Sequence, residues 1–408
     1  MQLNTTGRKR NAIFGSALVA LLLLVMACGA AATPAPVEVE VTKEVIKEVE
    51  VVKEVPVEVE KEVVKEVEVV KEVPVEVVKE VVKEVEVMVE PEPMAMPGSG
   101  VKVQPARATW NTGYFQEALY SLALEELGFE VEDHQELDNP LFYQSVALGD
   151  VDFWANGWFP LHSQYEDTFS KGASIAGTVA SAGALQGYLI DKAGAEEFNI
   201  STIDDFKRAE VKAAYDADGN GKADLVACPP GWGCNTVIGF HLDTFGLRDH
   251  VDEITAGYSA GMADATGRFR NGEHVFFYTW TPNWTVNQLK PTIDVVWIEI
   301  PSAEHPAGHS EADLLIKGVA GCANDPCLMG FPGNDINIIA NDDFLSDNPV
   351  AAKLFEVMAI PLADIFKQNN RMNAGENSQD DIDNHAREWA ATHQDLWNGW
   401  LDQARKAG

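Results

Sequence analysis

Positive charge is scarce in this sequence. Lys and Arg number 30 against 64 Asp and Glu, a formal net charge of −34 over 408 residues. A chain this acidic repels phosphate backbones, which argues against nucleic acid as a partner. It says nothing against a zwitterion, which carries no net charge. Cysteine is also scarce, at five, and the C-x2-C spacing of a zinc knuckle is missing. The spacings are instead C-x5-C at Cys228 and Cys234 and C-x4-C at Cys322 and Cys327, with no cluster of histidines beside them. Two local disulfides are the simplest pairing in an oxidising compartment; a zinc site is the alternative. No H-E-x-x-H pair and no phosphate loop is present, so neither an enzyme nor a cofactor is expected.

The longest apolar run lies at the N-terminus. Arg8, Lys9 and Arg10 precede IFGSALVALLLLVMA, which stops at Cys28. This is the layout of an export signal and is kept out of fold reasoning. The stretch LVMACG resembles the lipobox of bacterial lipoproteins, which implies lipidation of Cys28 and an extracytoplasmic, membrane-anchored body. An uncleaved anchor or an ordinary secretory signal is the alternative. From Val37 to Glu90 the chain is almost entirely Val, Glu and Lys, and KEVEVVKEVPVEV at 47–59 recurs at 65–77. The repeated prolines and β-branched valines argue against an unbroken helix. The expectation is a signal peptide over 1–28 and a low-complexity stalk over 29–100, with stalk self-association as the other option.

The folded part is expected over 101–408. KVQPARATW reads as a strand. Phe115, Leu119, Leu122, Ala123 and Leu127 then share one helical face that ends at Gly128. FEVED, VDFWAN, VFFYTW and DVVWIEI read as strands, while LFYQSVALG and MADATGRFRNG read as helices. Strand and helix alternate, which predicts an α/β fold with parallel strands. A last helix is expected to line up Ile382, Ala386, Trp389, His393, Trp397 and Trp400 against the sheet. DADGNGKAD places Asp216, Asp218, Asn220 and Asp224 at calcium-loop spacing, but Ala227 stands where the loop's final Glu belongs. An Asx/Gly turn is the plainer reading.

Three stretches set a tryptophan among prolines and glycines: WANGWFPLH at 154–162, CPPGWGC at 228–234 and FYTWTPNW at 277–284. Trp158 and Trp280 are expected just after strands, where α/β sheets bind ligands, and Trp232 on a short loop. Any one of these rings could be ordinary core packing. Together they can surround a quaternary ammonium, which has no N–H to donate and is held by cation–π attraction of ~0.5–2 kcal/mol per ring. A carboxylate on the same ligand needs donors without a competing cation. The backbone N–H groups of Gly233 and Cys234 qualify, helped by the dipole if NTVIGFHLDTFG is helical. His162 is a further donor, with a structural loop histidine as the alternative.

GWFPLH, QGYLIDK, DADGNGKADL with PGWGC, and FYTWTPNW with LKP and DVVW resemble the glycine betaine/proline betaine substrate-binding proteins of ABC transporters. The resemblance covers nearly all of 101–408. It implies a two-lobed type II periplasmic-binding-protein clamp, with lobe 1 at about 101–188 and 281–408 and lobe 2 at about 189–280. It also implies a tryptophan cage of Trp158, Trp232 and Trp280, carboxylate donors at His162, Gly233 and Cys234, and a Cys228–Cys234 disulfide. The implied ligand is a betaine and the implied partner a membrane permease; choline or carnitine is the other ligand choice. Closure would bring Trp232 against Trp158 and Trp280. Gly157-Trp158-Phe159-Pro160 departs from the family's Asn-Trp-Thr-Pro, and GCANDPC at 321–327 is an addition without an assigned role.

Overall fold

The computed structural model describes residues 96–408. The export signal, Cys28 and almost all of the stalk lie outside the described residues. Ten strands carry the architecture: β1 Pro105–Ala108, β2 Gln135–Leu137, β3 Phe153–Phe159, β4 Ala173–Ala184 and β5 Gln186–Asp191; then β6 Ala223–Val226, β7 Val251–Ile254, β8 Phe276–Trp280, β9 Val295–Ile298 and β10 Asn334–Asn341. They form two five-stranded sheets, in the orders β2-β1-β3-β10-β4 and β9-β5-β8-β6-β7. The apolar runs in β6 and β8 are buried at every residue, as expected of strands covered on both faces.

The sheets are mixed, not parallel throughout. β1 runs parallel to β2 and β3, but β10 is antiparallel to both β3 and β4. Likewise β8 is parallel to β6 and antiparallel to β5. A parallel neighbour needs a long crossover within its own sheet. β10 arrives from the second sheet without one, so its direction is free. The chain passes from β4 to β5 through the single residue Leu185 and returns only after β9. β9 keeps the chain in the second sheet to Ile298.

Four helices border the strands: α1 Tyr114–Glu126, α2 Asn139–Leu148, α3 Gly233–Thr244 and α4 Tyr258–Arg270. α1 buries Phe115, Leu119 and Ala123, the face the periodicity picks out. α2 starts at Asp138, whose carboxylate accepts the Leu141 N–H, and stops at Gly149 in a left-handed conformation.

After β10 the chain is helical, with α5 Pro349–Val357, α6 Leu362–Asn373, α7 Gln379–Thr392 and α8 Gln394–Arg405. The single helix expected through Trp389 and Trp400 is two helices broken at His393, where φ is −120° and ψ 34°. The break lets Trp389 stack on Trp400 at 5.9 Å and 8°. These tryptophans are core, as expected, but α7 packs on α1 and α8 on α5 rather than on a sheet. The Trp397 indole N–H is satisfied by Glu126 of α1 at 3.0 Å.

At Gly177 in β4, a Cβ would lie 1.9 Å from the backbone carbonyl oxygen of Phe355 in α5. Gly177→Ala should therefore push helix and sheet apart and cost about 1–3 kcal/mol, read from the urea midpoint. An unchanged midpoint would mean that the α5 contact is not tight.

Candidate functional site

The three tryptophans singled out by their Pro and Gly neighbours converge. Trp158 is the penultimate residue of β3 and Trp280 the last of β8, so both belong to strand ends rather than to loops. Trp232 is the N-cap of α3. It sits in the loop closed by the Cys228–Cys234 disulfide, whose Cα atoms are 6.0 Å apart. Trp280 therefore reaches the site with Trp232, from the second sheet, and Trp158 faces them from the first. A cavity lies between, lined by all six residues picked out from the sequence, Trp158, His162, Trp232, Gly233, Cys234 and Trp280. Trp110, Leu161, Gln186 and Tyr278 complete it.

Trp110 is a fourth ring that the sequence reading left inside a strand. It follows β1, is 6 % exposed, and meets Trp232 at 5.3 Å and 68°. Trp232 in turn meets Trp280 at 5.6 Å and 81°. Edge-to-face contacts of this kind hold rings in place with ~0.5–1.5 kcal/mol beyond their burial.

Every one of these indoles has its N–H tied back. Trp110 and Trp158 both donate to Asn156 Oδ1, at 2.6 and 3.0 Å. Trp232 donates to Thr109 Oγ1 at 2.8 Å, and Trp280 to Thr112 Oγ1 at 3.1 Å. The Asn156 amide is completed by Gln116. Thr109 and Thr112 flank Trp110 in the segment TWNTG, so one short stretch after β1 orients both rings that come from the second sheet. Its only sequence signal is two hydroxyls beside a tryptophan.

His162 is buried behind Trp158. Its Nδ1 accepts the Trp158 backbone N–H at 3.1 Å and lies 2.8 Å from the Tyr143 hydroxyl. The proton is therefore on Nε2, which faces the Asn139 side-chain amide at 2.8 Å. Asn139 Oδ1 is buried without a partner. Turning that amide gives Nε2–H its acceptor, and amide orientation is an assignment. Burial lowers the imidazole pKa to about 3, so His162 is a neutral donor. A Cβ at Gly233 would stand 3.0 Å from His162 Cδ2, so glycine is what lets α3 approach.

α3 begins at Gly233 with no side-chain cap. The Gly233 and Cys234 N–H groups are thus bare at the positive end of the helix dipole. Gln186, noted in QGYLIDK without a role, accepts from Tyr278 at its Oε1 and has a buried, unpartnered Nε2. No lining residue is charged at neutral pH. Asp138 lines a separate cleft that shares Trp110, Trp232 and Trp280 with the cavity.

Other features lie apart from the cavity lining. Cys322 and Cys327 are disulfide-bonded to each other, so neither cysteine pair is a zinc site. That second staple sits beside β9, where the Trp297 N–H bonds the Gly321 carbonyl at 3.0 Å. The sequence reading expects no G-x-S-x-G, but GYSAG at 257–261 has that spacing of a serine nucleophile. Ser259 is exposed and makes no side-chain hydrogen bond to a histidine. In the Asp-rich loop, the Asp216 carboxylate accepts the N–H groups of Gly219 and Gly221.

Comparison with known proteins bears on this geometry. Residues 101–392 match the substrate binding domain of ABC-type glycine betaine transport systems. The glycine betaine-binding periplasmic protein OusX of Dickeya dadantii is 41 % identical over 313 residues, 76 % of this chain and 92 % of that protein. The glycine betaine/proline betaine-binding periplasmic protein of Escherichia coli is 40 % identical over the same shares. Lactococcal OpuAC, solved closed with glycine betaine, superposes with a TM-score of 0.56 at 19 % identity, covering 74 % of this chain and 99 % of that one. A choline binding protein solved with choline gives 0.56 at 18 % identity, covering 75 % and 96 %. Among the described residues no helix is long and apolar enough to cross a membrane.

His162, His241 and His305 all have pKa values lowered by burial, to about 3, 4 and 3. In the unfolded chain each titrates near 6.5. The unfolded state thus binds more protons between about pH 6.5 and pH 3, and stability should fall as pH drops through that window. Calorimetric melts from pH 7 to 4 would show it. His162→Gln should flatten the slope; an unchanged slope would mean that the imidazole is protonated in the fold.

Proposed function

The chain belongs to the family of substrate binding domains of ABC-type glycine betaine transport systems, and from that premise we propose how it holds its ligand. The trimethylammonium group of glycine betaine sits among the faces of Trp158, Trp232 and Trp280, with Trp110 closing the wall. Its carboxylate meets the Gly233 and Cys234 N–H groups and the Gln186 amide, and draws His162 Nε2–H away from Asn139 as it binds. The observation that carries this reading is an uncharged cavity lined both by four indoles and by the uncapped start of α3. A fixed carboxylate or lysine would favour one half of a zwitterion and repel the other. Four neutral donors and neutral rings suit both halves.

The two sheets mark the two lobes of a clamp, with the crossings at Leu185 and between Ile298 and Asn334 as its hinge segments. The bonds that join elements of the two sheets include Trp232 to Thr109, Trp280 to Thr112, and the Asn139 N–H to the Gly231 carbonyl at 3.3 Å. The cage rings thus double as the latch. The closed lobes present the ligand to a membrane permease, and a lipid on Cys28 with the Val/Glu/Lys stalk tethers the domain near it. Radiolabelled palmitate incorporation that survives Cys28→Ser would rule out that anchor.

Choline is the second reading, because the fold is shared with a choline binding protein. The donors at Gly233, Cys234, His162 and Gln186 favour betaine, since choline has no carboxylate to use them. Titration calorimetry with glycine betaine, choline and carnitine separates the two; choline binding as tightly as betaine would defeat the carboxylate assignment. Trp232→Ala should weaken betaine binding more than tenfold with the fold intact. His162→Ala should weaken betaine more than choline, and equal losses would make the histidine a packing residue. Thr109→Val, which removes one latch bond, should speed betaine release severalfold while leaving the association rate unchanged.

A further inference from the structure

Three carboxylates meet at the far end of β6 from the ligand cavity. Asp218 lies in the DADGNGKAD turn, Asp224 at the start of β6, and Asp252 in β7 directly across from Asp224 in the strand register. One oxygen from each lies within 4.8 Å of the others. Asp224 is only 4 % exposed. Its Oδ2 accepts the Ala217 N–H at 2.8 Å, but its Oδ1 is buried with no partner. Like charges set opposite each other on neighbouring strands cost stability, and a buried carboxylate oxygen without a donor costs more.

Among the described residues no cation is bonded to the three, and Arg268 acts on Asp224 only as a neighbouring charge. Lys222 Nζ is spent on the Arg248 carbonyl at 2.8 Å, and Arg268 Nε on Asp264 at 2.9 Å. Only the Asn220 amide stands between Asp218 and Asp252, at 3.1 and 3.3 Å. An amide nitrogen carries a fraction of a charge against three carboxylates.

We propose that Asp218, Asp224 and Asp252 bind a calcium ion. Calcium takes six to eight hard oxygens at ~2.3–2.6 Å, so two oxygens on one ion lie no more than about 5 Å apart, and this cluster meets that limit. The ligand set is not the one the loop spacing suggests. Asp216 is replaced by Asp252 from the adjacent strand, and water supplies the remaining positions. The ion neutralises the facing carboxylates and pins the turn to β6 and β7. The cavity residues lie beyond the other end of β6, so the ion supports the fold without touching the ligand.

The test uses the full chain, stripped with chelator and returned to CaCl2, MgCl2 or NaCl of equal ionic strength. About 10 mM CaCl2 should raise Tm by at least about 2 °C over NaCl, for a site in the ~10⁻⁴–10⁻³ M range. Asp224→Asn and Asp252→Asn should each lose most of that rise while still binding glycine betaine with wild-type affinity. No calcium-specific rise in the wild type, or equal rises in both variants, would overturn the proposal. An equal rise with MgCl2 would overturn the choice of calcium. If the variants do not fold, calorimetric titration of the wild type with CaCl2 decides: one-to-one saturable heat supports the site, and its absence refutes it.

Discussion

The indole N–H groups of the four cavity tryptophans all find acceptors, and those bonds organise the site. Trp110, Trp158, Trp232 and Trp280 all lie below a tenth exposed, and each donates to a hydroxyl or amide oxygen. Once the polar edges are tied to Thr109, Thr112 and Asn156, the faces have little freedom left. The cavity exists because four rings are anchored at their edges and cannot collapse into it. Two of those anchors cross from one sheet to the other. Packing, ring orientation and closure are therefore one interaction seen three ways.

The stapled loop supplies what the rings cannot. Cys228–Cys234 and its two prolines limit the loop's freedom before any ligand arrives, so less ordering is charged against binding. The same loop ends in Gly233, where α3 starts uncapped and the backbone comes within contact of His162. Desolvation keeps that histidine neutral. A charged imidazole here would compete with the ammonium for the carboxylate and would itself be costly to bury. Neutrality is thus a property of depth, not of residue type.

Much of the site was legible because its residues break ordinary patterns. Tryptophans between prolines and glycines, or six residues from one cysteine to the next, do not build regular elements, so they stand out in a linear reading. Trp110 was missed for the opposite reason: it follows a run that reads as a plain strand. Gln186 and Asn156 are single polar residues inside strands, with nothing in their spacing to mark them. The C-terminal break at His393 was invisible because the apolar period continues across it, in helices that turn to stack Trp389 on Trp400.

By itself the sequence determined the α/β alternation, the two local cysteine pairs, the tryptophan stretches and the family they resemble. These depend on neighbours within a few residues, which spacing records. Tertiary structure alone decided that β10 enters antiparallel, that Trp280 sides with Trp232, that Thr109 and Thr112 hold rings from the other sheet, and that Asp252 stands across from Asp224. Each of those facts joins residues far apart in the chain. Their partners are chosen by which strands lie side by side, and local propensity carries no record of that choice.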